Sequence, residues 1–328
     1  MKRGRAWRFI YHRTLYAADL VRAGIMEFRD MDRSCVVILG SPRSGTSWLM
    51  RLIGAAPGHC TMFEPLHPRW WPGVREAEFG DRPSDGDKRK RQFIQEIFDG
   101  VKASRHPRWS YLVNGNPVLF VRGVVQRAFA DRLVVKFVRA LRLFPWLLKH
   151  FPDQQYIYIV RDPRAVVSSQ LQTGISAYME NDNDWPTDLL DHSKYSPSLL
   201  SELCSRIRSD AAAVIDSDAI HEIRSLEGCL TLSWYSDNLV ARRAAEHKEV
   251  AMLSYEDLLT DTQNELERLE RHIKSESCLT SNVNVKDTNH QISKWRKKLS
   301  DVQTGRIERA LNILEETHVS TETLFFRK

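Results

Sequence analysis

Apolar residues along this chain fall into two rhythms. Short apolar runs, many of them β-branched or aromatic and one interrupted by Lys136, occur at Cys35–Leu39, Leu133–Val138, Tyr156–Val160 and Val250–Leu253. Most stop at glycine or at charge, and such runs read as strands buried in a sheet. Between the runs, apolar positions recur every three or four residues. Leu49, Leu52 and Ile53 share one helical face, and Phe93, Ile94, Ile97 and Phe98 share another. Further helices are predicted at Phe144–Phe151, Leu199 to about Ala219, Leu226 to about His247, from Tyr255 onward, and near Thr304–Thr317. A short apolar stretch after the first helix ends at Phe63. Residues 72–92, 180–198 and 275–293 read as loops, and Lys88-Arg89-Lys90-Arg91 reads as the solvated start of a helix. Strands alternating with helices predict an α/β fold, an open parallel sheet flanked by helices on both faces. No internal repeat is present.

Composition narrows this picture without changing it. A chain of 328 residues that is 42% apolar can bury a real core. The formal net charge of +6 favours an acidic ligand, and +4 of it lies in residues 1–34. That segment alternates basic residues with Trp7, Phe9, Ile10, Tyr11, Leu15, Tyr16 and Leu20. It reads as a basic amphipathic element packed on the domain, with peripheral contact to anionic lipid as the other use of such a helix. The expected organisation is this segment, 1–34, followed by a single domain over 35–328. Five scattered cysteines without a CxxC pair point to a reducing compartment, with neither a disulfide framework nor a zinc site. No apolar run approaches the roughly 18 residues of a membrane span, and no signal-peptide core precedes the first strand. Nucleic acid is not an expected partner.

Candidate chemistry concentrates where strands end. The first strand runs into Gly40, then Ser41-Pro42-Arg43-Ser44-Gly45-Thr46-Ser47, then a helix. Strand, small-residue loop, helix is the arrangement that aims backbone N–H groups and a helix dipole at a phosphate. Gly40 and Gly45 have the GxxxxG spacing of a nucleoside triphosphatase loop, yet Thr46 stands where its lysine belongs. The cation sits inside the loop instead, as Arg43. A second anion site is predicted at the end of Tyr156–Val160, where Arg161-Asp162-Pro163 opens the next helix and Ser169 follows eight residues on. Asp162 can cap that helix, Pro163 suits its first turn, and Arg161 can fork onto a phosphate. The bland alternative pairs Arg161 with a carboxylate and leaves Ser169 facing solvent.

Taken in order, the Ser41–Trp48 loop, Phe63-Glu64-Pro65, Arg161-Asp162-Pro163-Arg164-Ala165-Val166 with Ser169, and Ser254-Tyr255-Glu256-Asp257-Leu258 resemble the sulfotransferase family, most closely its carbohydrate branch. The resemblance implies 3′-phosphoadenosine-5′-phosphosulfate (PAPS) as donor and a hydroxyl acceptor, with a saccharide favoured. It implies that Ser41, Pro42, Arg43, Ser44, Gly45, Thr46 and Ser47 surround the 5′-phosphosulfate, while Arg161 and Ser169 hold the 3′-phosphate. Arg43 would then stabilise the oxygen left behind by sulfuryl transfer, so no metal is expected. The triphosphatase alternative lacks both its loop lysine and a strand-end acid.

Glu64 resembles the family's general base, with His67 as the competing base because its ordinary pKa suits proton transfer. Both also have plain structural readings, Glu64 as a carboxylate tied to loop N–H groups or paired with Arg43 or Arg69. Lys136, a cation within an apolar strand, is expected to meet either ligand or carboxylate. Ser293-Lys294-Trp295-Arg296 resembles the family's cofactor-proximal C-terminal segment, which would make Trp295 and Arg296 cofactor contacts, though its glycine-rich part is absent. Trp70 and Trp71 could form a sugar platform or simply fill a core. The remaining alternative is a non-catalytic nucleotide-binding protein on the same fold. Without an anchor in the sequence, a cytoplasmic, bacterial enzyme is the expected setting.

Overall fold

A computed structural model describes residues 34–66, 88–100, 128–173, 197–215, 218–246, 249–274, 279 and 288–317. Its five strands are β1 (Val36–Leu39), β2 (His59–Phe63), β3 (Arg132–Phe137), β4 (Gln155–Val160) and β5 (Val250–Ser254). They form a parallel sheet in the order β2-β3-β1-β4-β5, flanked by helices. In chain order the helices are α1 (Thr46–Ile53), α2 (Lys88–Phe98), α3 (Phe144–His150), α4 (Pro163–Thr173), α5 (Pro197–Ala212), α6 (Leu226–Ala245), α7 (Tyr255–Thr260), α8 (Thr262–His272), α9 (Thr288–Ser293) and α10 (Asp301–Thr317). The α/β architecture expected from the alternating pattern is present.

The chain divides into two compact units. One holds β1, β2, β3, the start of β4, α2, α3, and all of α1 but its first residue. Here β3 is the central strand: Val36 to Leu39 register against Val134 to Phe137, and His59 to Phe63 against Arg132 to Lys136. The Gln155 N–H donates to the Cys35 carbonyl at 2.9 Å, bringing β4 alongside β1. Val36–Leu39 and Leu133–Phe137 are buried throughout, as such apolar runs require in a covered parallel sheet. Phe98 of α2 packs edge-on against Phe137 and Phe151, with centroids 6.4 and 5.1 Å apart. This explains why α2 needs its four apolar positions.

The other unit holds the loop Gly40–Thr46, the end of β4, α4 to α7, α9 and α10. Helix α6 is its centre, and α5, α10 and α4 pack on it. Fourteen of its twenty residues are buried, which accounts for its weak amphipathic pattern. Ser225 caps α6 by accepting from the Gly228 N–H at 3.1 Å, and Ser254 caps α7 through the Asp257 N–H at 3.2 Å.

Several elements differ from the sequence reading. The stretch ending at Phe63 is a full strand, β2. The helix expected from Leu199 stops at Ala212, with a separate 3-10 turn at Asp218–Glu222. The helix begun at Tyr255 breaks at Asp261, where the backbone leaves the helical region, and restarts as α8. Within the expected loop 275–293, Thr288–Ser293 is helical. In the basic run, Lys90 is buried rather than solvated. Among the described residues, no helix is long and apolar enough to cross a membrane. The expectations placed on the segment 1–34, of which all but the last residue is outside the described residues, and on His67, Trp70 and Trp71, which are outside them too, are not addressed by the structure.

Candidate functional site

Every strand except β3 hands the chain directly to a residue singled out by sequence: Gly40 after β1, Glu64 after β2, Arg161 after β4 and Tyr255 after β5. In parallel sheets the carboxyl ends of strands are where ligands bind.

The loop after β1 is tightly determined. A Cβ on Gly40 would lie 2.6 Å from the Ile159 carbonyl oxygen, so only glycine lets the loop leave the sheet beside β4. Gly45 has φ +91°, and a Cβ there would meet the Tyr255 ring at 2.5 Å. Arg43 also has positive φ, 74°, a conformation that costs a non-glycine residue of the order of 1 kcal/mol. The Ser44 N–H donates to the Ser41 carbonyl at 3.1 Å, closing the turn around that strained residue. Strained backbone at the loop's single cation is a recurrent mark of function.

Three predicted binding residues meet here. Arg43 Nε donates to Ser169 Oγ at 2.9 Å, and Arg161 Nη1 donates to the Arg43 carbonyl at 3.1 Å. Tyr255 supports the Arg161 guanidinium from below, 4.2 Å from the ring centroid. Among the described residues, neither Arg43 nor Arg161 forms an ion pair. The expected alternative of an Arg161–carboxylate pair is not realised there. Partial desolvation, and then the charge of Arg161, hold the exposed Arg43 below the ordinary arginine pKa. Ser44 Oγ and Arg161 Nε are buried without a hydrogen-bond partner. Two crowded cations with unsatisfied buried groups beside them form a cradle whose chemistry suits an anion.

The neighbouring helix start holds this cradle still. Asp162 Oδ1 accepts from the Arg164 N–H at 2.8 Å, capping α4 as expected, with Pro163 in the first turn. The Asp162 carboxylate also takes the Arg164 guanidinium through two nitrogens, at 2.7 and 2.9 Å, while Arg164 Nη1 reaches Glu308 at 3.0 Å. These carboxylates push the Arg164 pKa upward, against the smaller effect of burial. Buried Glu256 accepts the Asp162 N–H at 3.2 Å. Desolvation is the main reason its pKa is raised.

A second constellation lies at the ends of β2 and β3. Glu64 Oε1 and Lys136 Nζ are 2.5 Å apart and nearly inaccessible, with side chains 5% and 4% exposed. Lys136 also donates to Ser47 Oγ at 3.1 Å and lies 3.9 Å from the Phe63 ring centroid. Glu64 Oε2 accepts from the Val138 N–H at 3.2 Å, and its own N–H donates to the Lys136 carbonyl. Glu64 has positive φ, 48°. Lys136 therefore meets a carboxylate, one of its two expected partners, and Glu64 accepts a loop N–H but pairs with Lys136 rather than with Arg43, because the β2–β3 register sets Phe63 opposite Lys136.

Of the remaining predicted contacts, Thr46 and Ser41 are buried, and Pro42 and Ser47 are half-buried. Trp295 is buried, with the Arg164 and Arg296 guanidiniums 5.0 and 4.6 Å from its ring centroid. Two residues without a predicted role also serve the site. Tyr255 was visible only as part of a motif. Asn238 gave a faint signal, an amide on the same face of α6 as Trp234, one turn earlier.

A parallel α/β sheet whose first strand opens into a strained, cationic anion loop defines a class of phosphate-handling proteins. Within that class, the sequence matches the profile described as the sulfotransferase family over residues 35–224, more than half of its length, and the chain belongs to that family. No curated protein matches it. Among solved structures, it is similar to the sulfotransferase domain from the curacin biosynthetic pathway, at 15% identity and a TM-score of 0.39, over 86% of this chain and 98% of the other. It is also similar to the sulfotransferase domain of the Synechococcus PCC 7002 olefin synthase, at 15% identity and a TM-score of 0.36, covering 84% and 94%. Sulfotransferase STF9 from Mycobacterium avium matches at 14% identity and a TM-score of 0.37, covering 94% of this chain and 82% of STF9.

Proposed function

We propose that this sulfotransferase moves a sulfuryl group from PAPS to a hydroxyl, and that the acceptor is a saccharide. One observation carries the donor reading. Arg43 and Arg161 converge on a single loop without an ion-pair partner among the described residues, beside a buried and unpartnered Ser44 hydroxyl. Only an anion relieves that arrangement, and a donor with phosphates at both ends of its nucleoside supplies one for each cation. PAPS brings an activated sulfuryl group whose transfer leaves a bisphosphate. The saccharide acceptor rests on the motif resemblance.

The residues then divide the work as follows. The loop Ser41–Ser47 binds the 5′ end through its N–H groups and hydroxyls. Arg43, held in its strained conformation, faces the charge that grows on the departing phosphate and stabilises it. Arg161 and Ser169 hold the 3′-phosphate, and Tyr255 keeps the Arg161 head group in plane for a two-nitrogen grip. Glu64 takes the acceptor's proton, with Lys136 orienting the carboxylate through their contact. Trp295 and Arg296 border the nucleotide. No step requires a metal ion.

The test is transfer of labelled sulfate from PAPS to a panel of glycans, paired with binding of adenosine 3′,5′-bisphosphate. Arg43→Ala should lower kcat about 100-fold or more, by the usual cost of removing one charge-stabilising donor, with a smaller effect on nucleotide binding. Equal loss of both would make Arg43 an anchor and no more. Glu64→Gln should keep nucleotide binding and lose turnover. Normal turnover would reject Glu64 as base and promote His67.

A further inference from the structure

We infer that Asn238, in the middle of α6, is a positioning residue for the donor loop, acting through Ser41. The inference rests on the donor reading above and extends it to a side chain that need not touch the ligand. Asn238 is completely buried, as is Tyr158, and Ser41 is 2% exposed. Asn238 Nδ2 donates to Ser41 Oγ at 2.8 Å and to the Trp234 carbonyl at 2.6 Å. The Tyr158 hydroxyl donates to Asn238 Oδ1 at 2.7 Å. Every polar atom of the amide is thereby used.

The direction of these bonds decides what the relay does. The Trp234 backbone carbonyl can only accept, so it must face the amide nitrogen and the amide cannot turn over; Oδ1 is left to take the Tyr158 proton. Its two N–H groups are committed to Trp234 and to Ser41. Ser41 must then accept, and its own proton has no acceptor among the described residues. That proton is kept for the anion in the loop. The same bond fixes the first residue of the turn whose carbonyl receives the Ser44 N–H, and inside that turn sits Arg43 with its positive φ. A buried, fully satisfied amide is a rigid reference point. Here it ties the loop to β4 and α6 at once, between residues 197 positions apart in the chain.

A double-mutant cycle tests this directly. Binding of adenosine 3′,5′-bisphosphate and the kinetics of sulfuryl transfer are measured for full-length Ser41→Ala, Asn238→Asp, Asn238→Ala, Tyr158→Phe and the Ser41→Ala/Asn238→Ala pair. Asn238→Asp puts an acceptor where Ser41 needs a donor. Ser41→Ala, Asn238→Asp and Asn238→Ala should each weaken nucleotide binding about tenfold, the effect of one lost hydrogen bond. The rise should show in KM for the donor more than in kcat. Tyr158→Phe should do less, about threefold. The double variant should bind no worse than its weaker parent.

Losses that simply add would overturn the inference, because Asn238 would then act on stability or elsewhere. Unchanged nucleotide affinity in Ser41→Ala and Tyr158→Phe would overturn it even if the Asn238 variants fail to fold. A wild-type protein that binds no bisphosphate nucleotide and transfers no sulfate would overturn the donor reading, and the positioning role with it. Wild-type binding with indifferent variants removes the relay alone.

Discussion

At the scale of single residues, the loop after β1, proposed above to hold the donor, is shaped by excluding side chains as much as by offering them. Gly45 lies against the Tyr255 ring, and Tyr255 in turn lies under Arg161. One aromatic ring therefore sets both the backbone of the loop and the height of the second cation. Gly45→Ala forces a methyl group to within 2.5 Å of that ring at a φ of +91°. The expected outcome is loss of measurable nucleotide binding while the fold survives, read by titration alongside circular dichroism. Tyr255→Phe keeps ring and stacking, so it should bind normally. Gly40, Gly45 and Arg43 were legible in the sequence because a strand, a spacing and a displaced cation coincide within a few residues. Tyr255 and Asn238 were not, because their partners are brought to them only by the tertiary fold. No local pattern encodes a bond across 197 positions.

At the scale of elements, the ends of β2 and β3 are joined by more than their ladder. The Glu64 N–H reaches the Lys136 carbonyl, the two side chains pair, and Ser47 at the start of α1 accepts a further Lys136 N–H. One buried pair thus fastens two strands and a helix. Lys136→Met leaves a carboxylate buried alone and should cost about 3–5 kcal/mol in urea unfolding. Lys136→Met with Glu64→Met should recover most of that loss, since apolar replacement of a whole buried pair is often neutral. A single variant with near-native stability would show that water reaches the pair. β2 itself escaped sequence reading for a physical reason. Its five residues include His59 and Thr61, and only registry with β3 makes them a strand. The start of α4 was legible because capping is local: Asp162 and Pro163 announce it within two positions.

At the scale of the whole molecule, buried acid next to the cradle links stability to pH. Desolvation lifts the Glu256 pKa; the hydrogen bond it accepts from the Asp162 N–H opposes this, the Asp162 charge adds a smaller upward push, and Arg161 lowers it slightly. Between the ordinary glutamate value of about 4.3 and that raised value, the folded protein binds more protons than the unfolded chain. Stability contributed by Glu256 is therefore full below the ordinary value and declines as pH rises through the window. Glu256→Gln retains an oxygen for the Asp162 N–H and removes the titration. The urea midpoint of wild type should fall relative to that of Glu256→Gln as pH increases from about 4 toward neutrality. Parallel curves over that range would show that Glu256 is ionised in the folded protein at no extra cost.

The crowding of Arg43 against Arg161 carries a practical consequence for handling this enzyme. Two guanidiniums kept side by side will recruit whichever small oxyanion the solution offers. Inorganic phosphate or sulfate in a buffer would then protect the protein from heat while starving it of donor, and a preparation that looks most robust on storage would be the slowest at turnover.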